Sequence, residues 1–258
     1  SGITDRLEQL LSKALTGEWE PVIEQIERRH VDLCRDLGIP IGSDLERHFV
    51  DLRKMASGIH LIGEVSDRLR ARVMATGELM ATRIGAAYLA SEGLDVQWLD
   101  ARTILHAEER SGATVRANYL SATCNFEPDP ALQQRLSTGG NVLLTQGFIA
   151  SDSKGETVLL GRGGSDTSGS YLAAKLHARR LEIWTDVPGM FTANPRGVPN
   201  ARLLKSLDYD EAQEIASSGA KVLHPRCILP AKQYSIPLSV HATQRPELAG
   251  TVITATGG

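Results

Sequence analysis

The chain has no apolar run approaching the roughly 18 residues of a membrane span. Its first residues show no charged-then-apolar signal peptide either. Cysteine is scarce: Cys34, Cys124 and Cys227 are odd in number, far apart and free of CxxC spacing. They read as reduced cytosolic thiols packed as small hydrophobes, not as a disulfide framework. Aromatics make up only 5% of the residues, and Trp98, Trp184 and Phe148 read first as core. Charge of one sign is also lacking. A net charge of -3 leaves no polyanion footprint, so nucleic acid is not an expected partner. No histidine pair or Cys/His cluster has metal-ligand spacing, and no Ser-His-Asp order stands out. What these absences leave is a soluble cytoplasmic α/β protein. Its 258 residues suffice for one large domain or two small ones with a real core.

What is present begins with helix signals. Pro21 suits the first turn of a helix running to Leu37 and stopped by Gly38. Ser43-Asp44-Leu45-Glu46 has the spacing of a capping box, and apolar residues follow at helical intervals through Leu45, Phe49, Leu52, Met55 and Ile59. A further helix is predicted over Leu79 to Ser91, closed by Gly93. From Asp95 the period changes. Val96 to Leu99 and Asn141 to Ala150 read as strands, and Asp152-Ser153-Lys154-Gly155 as a turn into Glu156 to Leu160, making a hairpin. Leu181 to Thr185 and Leu238 to His241 are further strands; Tyr209 to Ser218 and His224 to Tyr234 are helices. Strands alternating with helices predict a sheet flanked by helices on both faces.

The most informative stretch is Leu160-Gly161-Arg162-Gly163-Gly164-Ser165-Asp166-Thr167, between a predicted strand and a helix over Asp166 to His177. Glycines let the backbone turn sharply and present N–H groups to an anion. Ser165 and Asp166 sit where a helix begins, and the positive end of its dipole favours phosphate. Arg162 adds a planar fork suited to carboxylate or phosphate. A Walker loop is excluded because no lysine falls at the required place. A Rossmann fingerprint is excluded because Asp166 occupies the third glycine position.

Ligands gather at the carboxyl ends of strands in open α/β sheets, which points also to Thr185-Asp186. Arg196 in a proline-stiffened loop and Lys221 in a glycine-bounded one complete, with Arg162, a set of cations on separate loops. Such a set can neutralise a nucleotide triphosphate. Each residue also has a bland reading. Lone arginines and lysines are mostly solvent charges, Asp186 can simply cap a turn, and His224 before Pro225 reads as a helix-entry residue. Glu78, placed by this reading at the start of an apolar helix, is either a favourable carboxylate near a helix N-terminus or a ligand for a substrate ammonium.

Taken in order, Thr76-Gly77-Glu78-Leu79-Met80, Thr145-Gln146-Gly147-Phe148, Leu160 to Asp166, Trp184-Thr185-Asp186-Val187-Pro188-Gly189 and Gly219-Ala220-Lys221-Val222-Leu223-His224-Pro225 resemble the aspartokinases of the amino-acid kinase family. The likeness covers essentially the whole chain. It implies a three-layer α/β/α sandwich with a mostly parallel central sheet, 1–258 forming one catalytic domain whose first part, 1–93, is mainly helical. The remainder, 94–258, would carry the sheet and the nucleotide and substrate loops. It implies transfer of the ATP γ-phosphoryl group to the side-chain carboxylate of L-aspartate, with Mg²⁺, in a cytoplasmic homo-oligomer.

By position, the resemblance gives Glu78 the substrate ammonium and Arg162 the α-carboxylate, with Phe148 walling the pocket. Gly163, Gly164 and Ser165 would line the transfer cleft, and Asp166 would orient the family's catalytic lysine. Thr185, Asp186, Phe191, Arg196, Lys221 and Val222 would hold the nucleotide. Phe191 stands where a tyrosine is common. The family's first strand, with its Lys-Phe-Gly-Gly-Thr-Ser loop, has no counterpart here, and the ACT domains would follow Gly258. Some relatives are fused to a diaminopimelate decarboxylase, an origin this fragment is compatible with. Two other readings keep part of the pattern: a family enzyme with another acceptor such as glutamate, and a non-catalytic nucleotide- or aspartate-binding partner subunit.

Overall fold

The computed structural model describes residues 2–139, 141–193, 197–218 and 222–256. They fall into two compact units, one of residues 1–123 and 138–159, the other of residues 124–137 and 160–258.

The first unit is built on four helices: α1 (Ile3–Thr16), α2 (Glu20–Asp36), α3 (Ser43–Ile62) and α4 (Asp67–Ser91). On α1 the buried residues are Leu7, Leu10, Leu11 and Ala14, one stripe at helical spacing. They meet Ile23 and Ile26 of α2, Leu52 and Ile59 of α3, and Met80 of α4 in a shared core. Each such side chain contributes roughly 1.5–3 kcal/mol when fully buried, so this stripe packing, more than helix propensity, holds the unit. As predicted, Pro21 lies in the first turn of α2. The unit also contains β1 (Val96–Trp98), α5 (Val115–Leu120), β2 (Val142–Leu144), β3 (Ile149–Ser151) and β4 (Thr157–Leu159). β1 pairs with β2 in parallel, and β3 with β4 antiparallel as the expected hairpin.

Three expectations are corrected here. Ser43 does not cap α3. It is the first helical residue, Gly42 is the cap, and no side chain caps that end. The Ser-x-x-Glu spacing marks a capping box only if the serine stands one step outside the helix. The predicted helix over Leu79 to Ser91 is only the last half of α4, which begins at Asp67 under a Ser66 cap. Gly77 does not interrupt it. An added Cβ there would come within 3.1 Å of Leu7 and 3.3 Å of Ile3, so this glycine lets α1 pack closely on α4. The predicted strand Asn141 to Ala150 is two strands in two sheets. Between them Gln146 is buried, its side chain accepting from the Ala101 amide and donating to Thr82 Oγ1 and the Leu99 carbonyl. Those tertiary bonds replace ladder bonds and break the strand.

The second unit contains α6 (Pro130–Ser137), α7 (Gly164–Lys175), β5 (Leu181–Thr185), β6 (Ser206–Asp208), α8 (Tyr209–Ser217), α9 (Ile228–Gln233), β7 (Leu238–Ala242) and β8 (Thr251–Thr254). Its sheet runs β5-β7-β8-β6, with β5/β7 and β6/β8 parallel and β7/β8 antiparallel. Leu181 and Ile183 of β5, with Leu238 and Val240 of β7, share a core with Ala212 of α8 and Ile228 of α9. The reciprocal capping box belongs to α8, where Asp208 accepts from the Glu211 amide at 2.8 Å and Glu211 from the Asp208 amide at 2.9 Å. The sequence reading did not single out β6 or β8. Both are short, and β6 is placed by pairing with β8, more than forty residues further on.

Candidate functional site

In the second unit the chain enters the glycine turn from Leu160, which is fully buried. Gly161 and Gly163 take left-handed backbone angles, φ 72° and 67°, which other L-residues adopt only at a cost. The Gly164 amide donates to the Gly161 carbonyl at 3.0 Å and the Thr167 amide to the Gly163 carbonyl at 3.0 Å, opening α7. Among the described residues the amides of Ser165 and Asp166 donate to no backbone carbonyl. They lie in the first turn of a helix, where such amides and the helix dipole suit an anion.

Arg162 and Ser165 are exposed on this turn and Asp166 is half-buried. Burial holds the Asp166 carboxyl above its ordinary pKa. Burial first, and the Asp166 charge second, push the Cys227 thiol well up, so Cys227 is a neutral packed thiol. Gly169 of α7 lies 3.5 Å, by an added Cβ, from Leu181 of β5, which seats this helix on the strand ending in Thr185. Thr185 Oγ1 donates to the exposed Asp186 at 3.2 Å. The loop beyond is fixed by buried Thr251, whose Oγ1 accepts from the Met190 amide at 2.8 Å and donates to the Leu204 carbonyl at 2.6 Å. Phe191 is half-buried and bridges to Leu203. Val222 packs on this unit's core. Arg196 and Lys221, both expected at the nucleotide, lie outside the described residues.

His224 is the helix-entry residue its place before Pro225 predicts, but no local pattern signals that its segment braces the turn. His224 caps the short helical turn Pro225–Cys227, its Nδ1 accepting from the Arg226 amide at 3.2 Å. Arg226 reaches back to donate to the Leu160 carbonyl at 2.6 Å. This last contact joins residues 66 positions apart, beyond any local pattern.

In the first unit Glu78 lies in the middle of α4, not at its start, which removes the helix-dipole explanation for it. It is half-buried, makes no ion pair among the described residues, and burial alone raises its carboxyl above the ordinary 4.5. The sign follows from linkage. Below 4.5 both states are protonated; as pH rises, the unfolded chain ionises first and stability falls until the folded carboxyl also ionises. Glu78→Gln is therefore expected to raise Tm by about 2 °C near pH 7.5 and to leave it unchanged near pH 4. A scan showing equal shifts at both pH values would contradict a burial cost on the charge. Phe148 is half-buried against the helical core with φ 71°, a left-handed angle rare for an aromatic residue. Thr145, three residues earlier, has a buried Oγ1 with no hydrogen-bond partner among the described residues.

Among the described residues no helix is long and apolar enough to cross a membrane. Nor do three of His, Cys, Asp and Glu gather where they could hold a metal.

The model of the amino acid kinase family matches residues 5–241. Lysine-sensitive aspartokinase 3 of Escherichia coli (strain K12) is 35% identical over 98% of this chain and 55% of its own length. The aspartokinase of Chlamydia pneumoniae is 34% identical over 99% of this chain and 54% of its own length. The crystal structure of E. coli aspartokinase III in complex with aspartate and ADP superposes with a TM-score of 0.86 at 33% identity, over 98% of this chain and 56% of that one. The chain thus spans about half the length of these relatives. The α/β fold expected from the alternation of strands and helices is the one it has.

Proposed function

The chain belongs to the amino acid kinase family, and on that premise we propose that residues 1–258 are the catalytic domain of an aspartate kinase. The reaction is transfer of the γ-phosphoryl group of ATP to the side-chain carboxylate of L-aspartate. The carboxylate oxygen forms the new bond to phosphorus, the bond to the bridging oxygen breaks, and ADP leaves with that electron pair. The attacking carboxylate is already ionised at neutral pH, so no general base is needed. Catalysis comes from in-line positioning and from neutralising charge on the transferred group.

The observation that carries this reading is the glycine turn: two left-handed glycines set Ser165 and Asp166 amides at a helix N-terminus beside an exposed arginine. In this reading Gly163, Gly164 and Ser165 line the phosphoryl path and Arg162 takes the α-carboxylate of aspartate. Glu78 takes its ammonium, Phe148 walls the pocket, and Asp166 stands where it would orient the family's catalytic lysine, whose Lys-Phe-Gly-Gly-Thr-Ser loop is not among residues 1–258. Thr185, Asp186, Phe191, Arg196, Lys221 and Val222 hold the nucleotide. The half-buried Glu78 suits its role: a partly desolvated carboxylate with no ion pair among the described residues gains from an incoming cation.

Mg²⁺ fits as a nucleotide-borne ion. The lack of an acidic cage among the described residues is no objection, since Mg²⁺ bound with a nucleotide would keep many of its waters and need few protein ligands. Bound there, it supplies countercharge for the phosphates. The same reading makes the protein a cytoplasmic homo-oligomer. The two aspartokinase relatives, and the E. coli enzyme's complex with aspartate and ADP, support this substrate pair.

The test is aspartyl-hydroxamate formation by the chain with Mg·ATP, L-aspartate and hydroxylamine, with L-glutamate as control. Aspartate-dependent product at least tenfold above the glutamate rate is expected. Equal rates with both acids would remove the assignment of aspartate. No product from either would remove the activity from this chain.

A further inference from the structure

The turn from Leu160 to Gly164 has three glycines and one arginine, so it has almost no side chains with which to hold its own shape. Glycine-rich backbone loses the most freedom on ordering, and a phosphate site works only if its amides are already in place. Some other segment must supply the constraint.

That segment is His224–Cys227. Arg226 Nη1 donates to the Leu160 carbonyl at 2.6 Å, at the entry to the turn. His224 lies against its middle: an added Cβ on Gly163 would fall 2.3 Å from the His224 Cβ. Beyond the turn, Ser170 Oγ of α7 donates to the Cys227 carbonyl at 2.5 Å. The bracing segment is itself stiff. Pro225 opens it, the Cys227 amide donates to the His224 carbonyl at 3.0 Å, and His224 Nδ1 accepts from the Arg226 amide. Entry, middle and exit of the turn are thus fixed to four consecutive residues.

We infer that Arg226 and His224 are positioning residues for the phosphoryl-binding turn, acting through the Leu160 carbonyl and the Gly163 backbone rather than by touching substrate. A guanidinium bonded to a carbonyl is a charge-assisted bond. It holds the peptide plane that leads into Gly161, and so sets where Arg162 and the following amides stand. The segment follows Lys221 by only three residues in sequence. The catalytic consequence rests on the kinase reading above; the mechanical one does not.

The experiment is amide hydrogen exchange on the full chain, read by mass spectrometry on peptides covering Leu160–Thr167, for wild type, Arg226→Met and Arg226→Lys. Arg226→Met is expected to speed exchange of the turn at least tenfold while β5 and α8 keep their rates. Arg226→Lys, which keeps one donor, should lie a few-fold above wild type. Unchanged exchange in the turn overturns the inference, and so does equal acceleration across the whole unit, which is what a merely structural residue gives. If Arg226→Met does not fold, Arg226→Lys decides by the same criterion. In parallel, kcat for hydroxamate formation per folded molecule should fall about 10–100-fold in Arg226→Met, with most of it recovered in Arg226→Lys. A wild-type chain inactive toward aspartate would take the kinase activity from residues 1–258, and the exchange result would still decide the bracing.

Discussion

Replacing Arg162 with alanine is expected to lower kcat/KM for aspartate about a hundredfold, close to 2.7 kcal/mol of transition-state binding, with KM for ATP kept within about twofold. Arg162 is exposed and makes no ion pair with any described residue. No internal bond is therefore broken by its removal, and the folded turn should survive. What is lost is a planar fork held in place by left-handed glycines on either side, the geometry that matches a carboxylate bidentately. Arg162→Lys should restore only a small part, because a lysine is a point charge without the fork. Lys221→Ala should show the reverse pattern, raising KM for ATP and sparing aspartate. Initial rates with each substrate varied in turn decide it. Equal losses for aspartate and ATP in Arg162→Ala would show that the arginine does not discriminate between them.

The second large effect is expected at Gly163. Its φ of 67° costs an alanine about 1–2 kcal/mol of strain on its own. The added methyl would also lie 2.3 Å from His224 Cβ and 2.4 Å from its Cγ, well inside contact distance. Strain and overlap together cannot be absorbed at that spot, so the turn must leave its place against His224. Gly163→Ala should lose more than a hundredfold in activity and several degrees in Tm. Gly155 provides the control. It shares a left-handed φ of 76° but has open space where a methyl would go. Gly155→Ala should therefore cost about 1 kcal/mol with unchanged kcat. Adding His224→Gly to Gly163→Ala should recover part of the lost stability, since the worst overlap is with the histidine Cβ itself. Full additivity of the two changes would refute the contact.

The places where local pattern and structure diverge share a physical origin. Gly77 stands just ahead of the helix predicted over Leu79 to Ser91, and glycine is a poor helix former. In the fold its missing side chain admits Leu7 and Ile3, and that packing outweighs propensity. The helix then runs on, Glu78 moves from its first turn to its middle, and burial replaces the dipole as the influence on its carboxyl. The Ser43–Glu46 spacing was right for a capping box and wrong in frame, while the true box at Asp208 and Glu211 has the same spacing. A spacing rule leaves the frame to whichever residue first departs from helical angles. Gln146 ended a strand early because its amide side chain bonds the Ala101 amide and the Leu99 carbonyl, partners found only once the chain had folded back.

Features whose causes lie within a few residues could be read from the amino-acid order. These are the helix that Pro21 opens, the apolar stripe of α3, the hairpin around Asp152–Gly155, the sharp turn at Gly161 and Gly163, and the helix that starts beside it. Backbone freedom, helical period and turn chemistry are properties of neighbouring residues, so they are legible before folding, and their order was enough to point to the family. Packing between distant segments is what desolvated Glu78 within a long helix and made Gly77 a packing glycine. It alone placed the Arg226 donor on the Leu160 carbonyl. Each of these depends on which distant segment fills the space beside a residue, and close packing selects that partner from the whole chain.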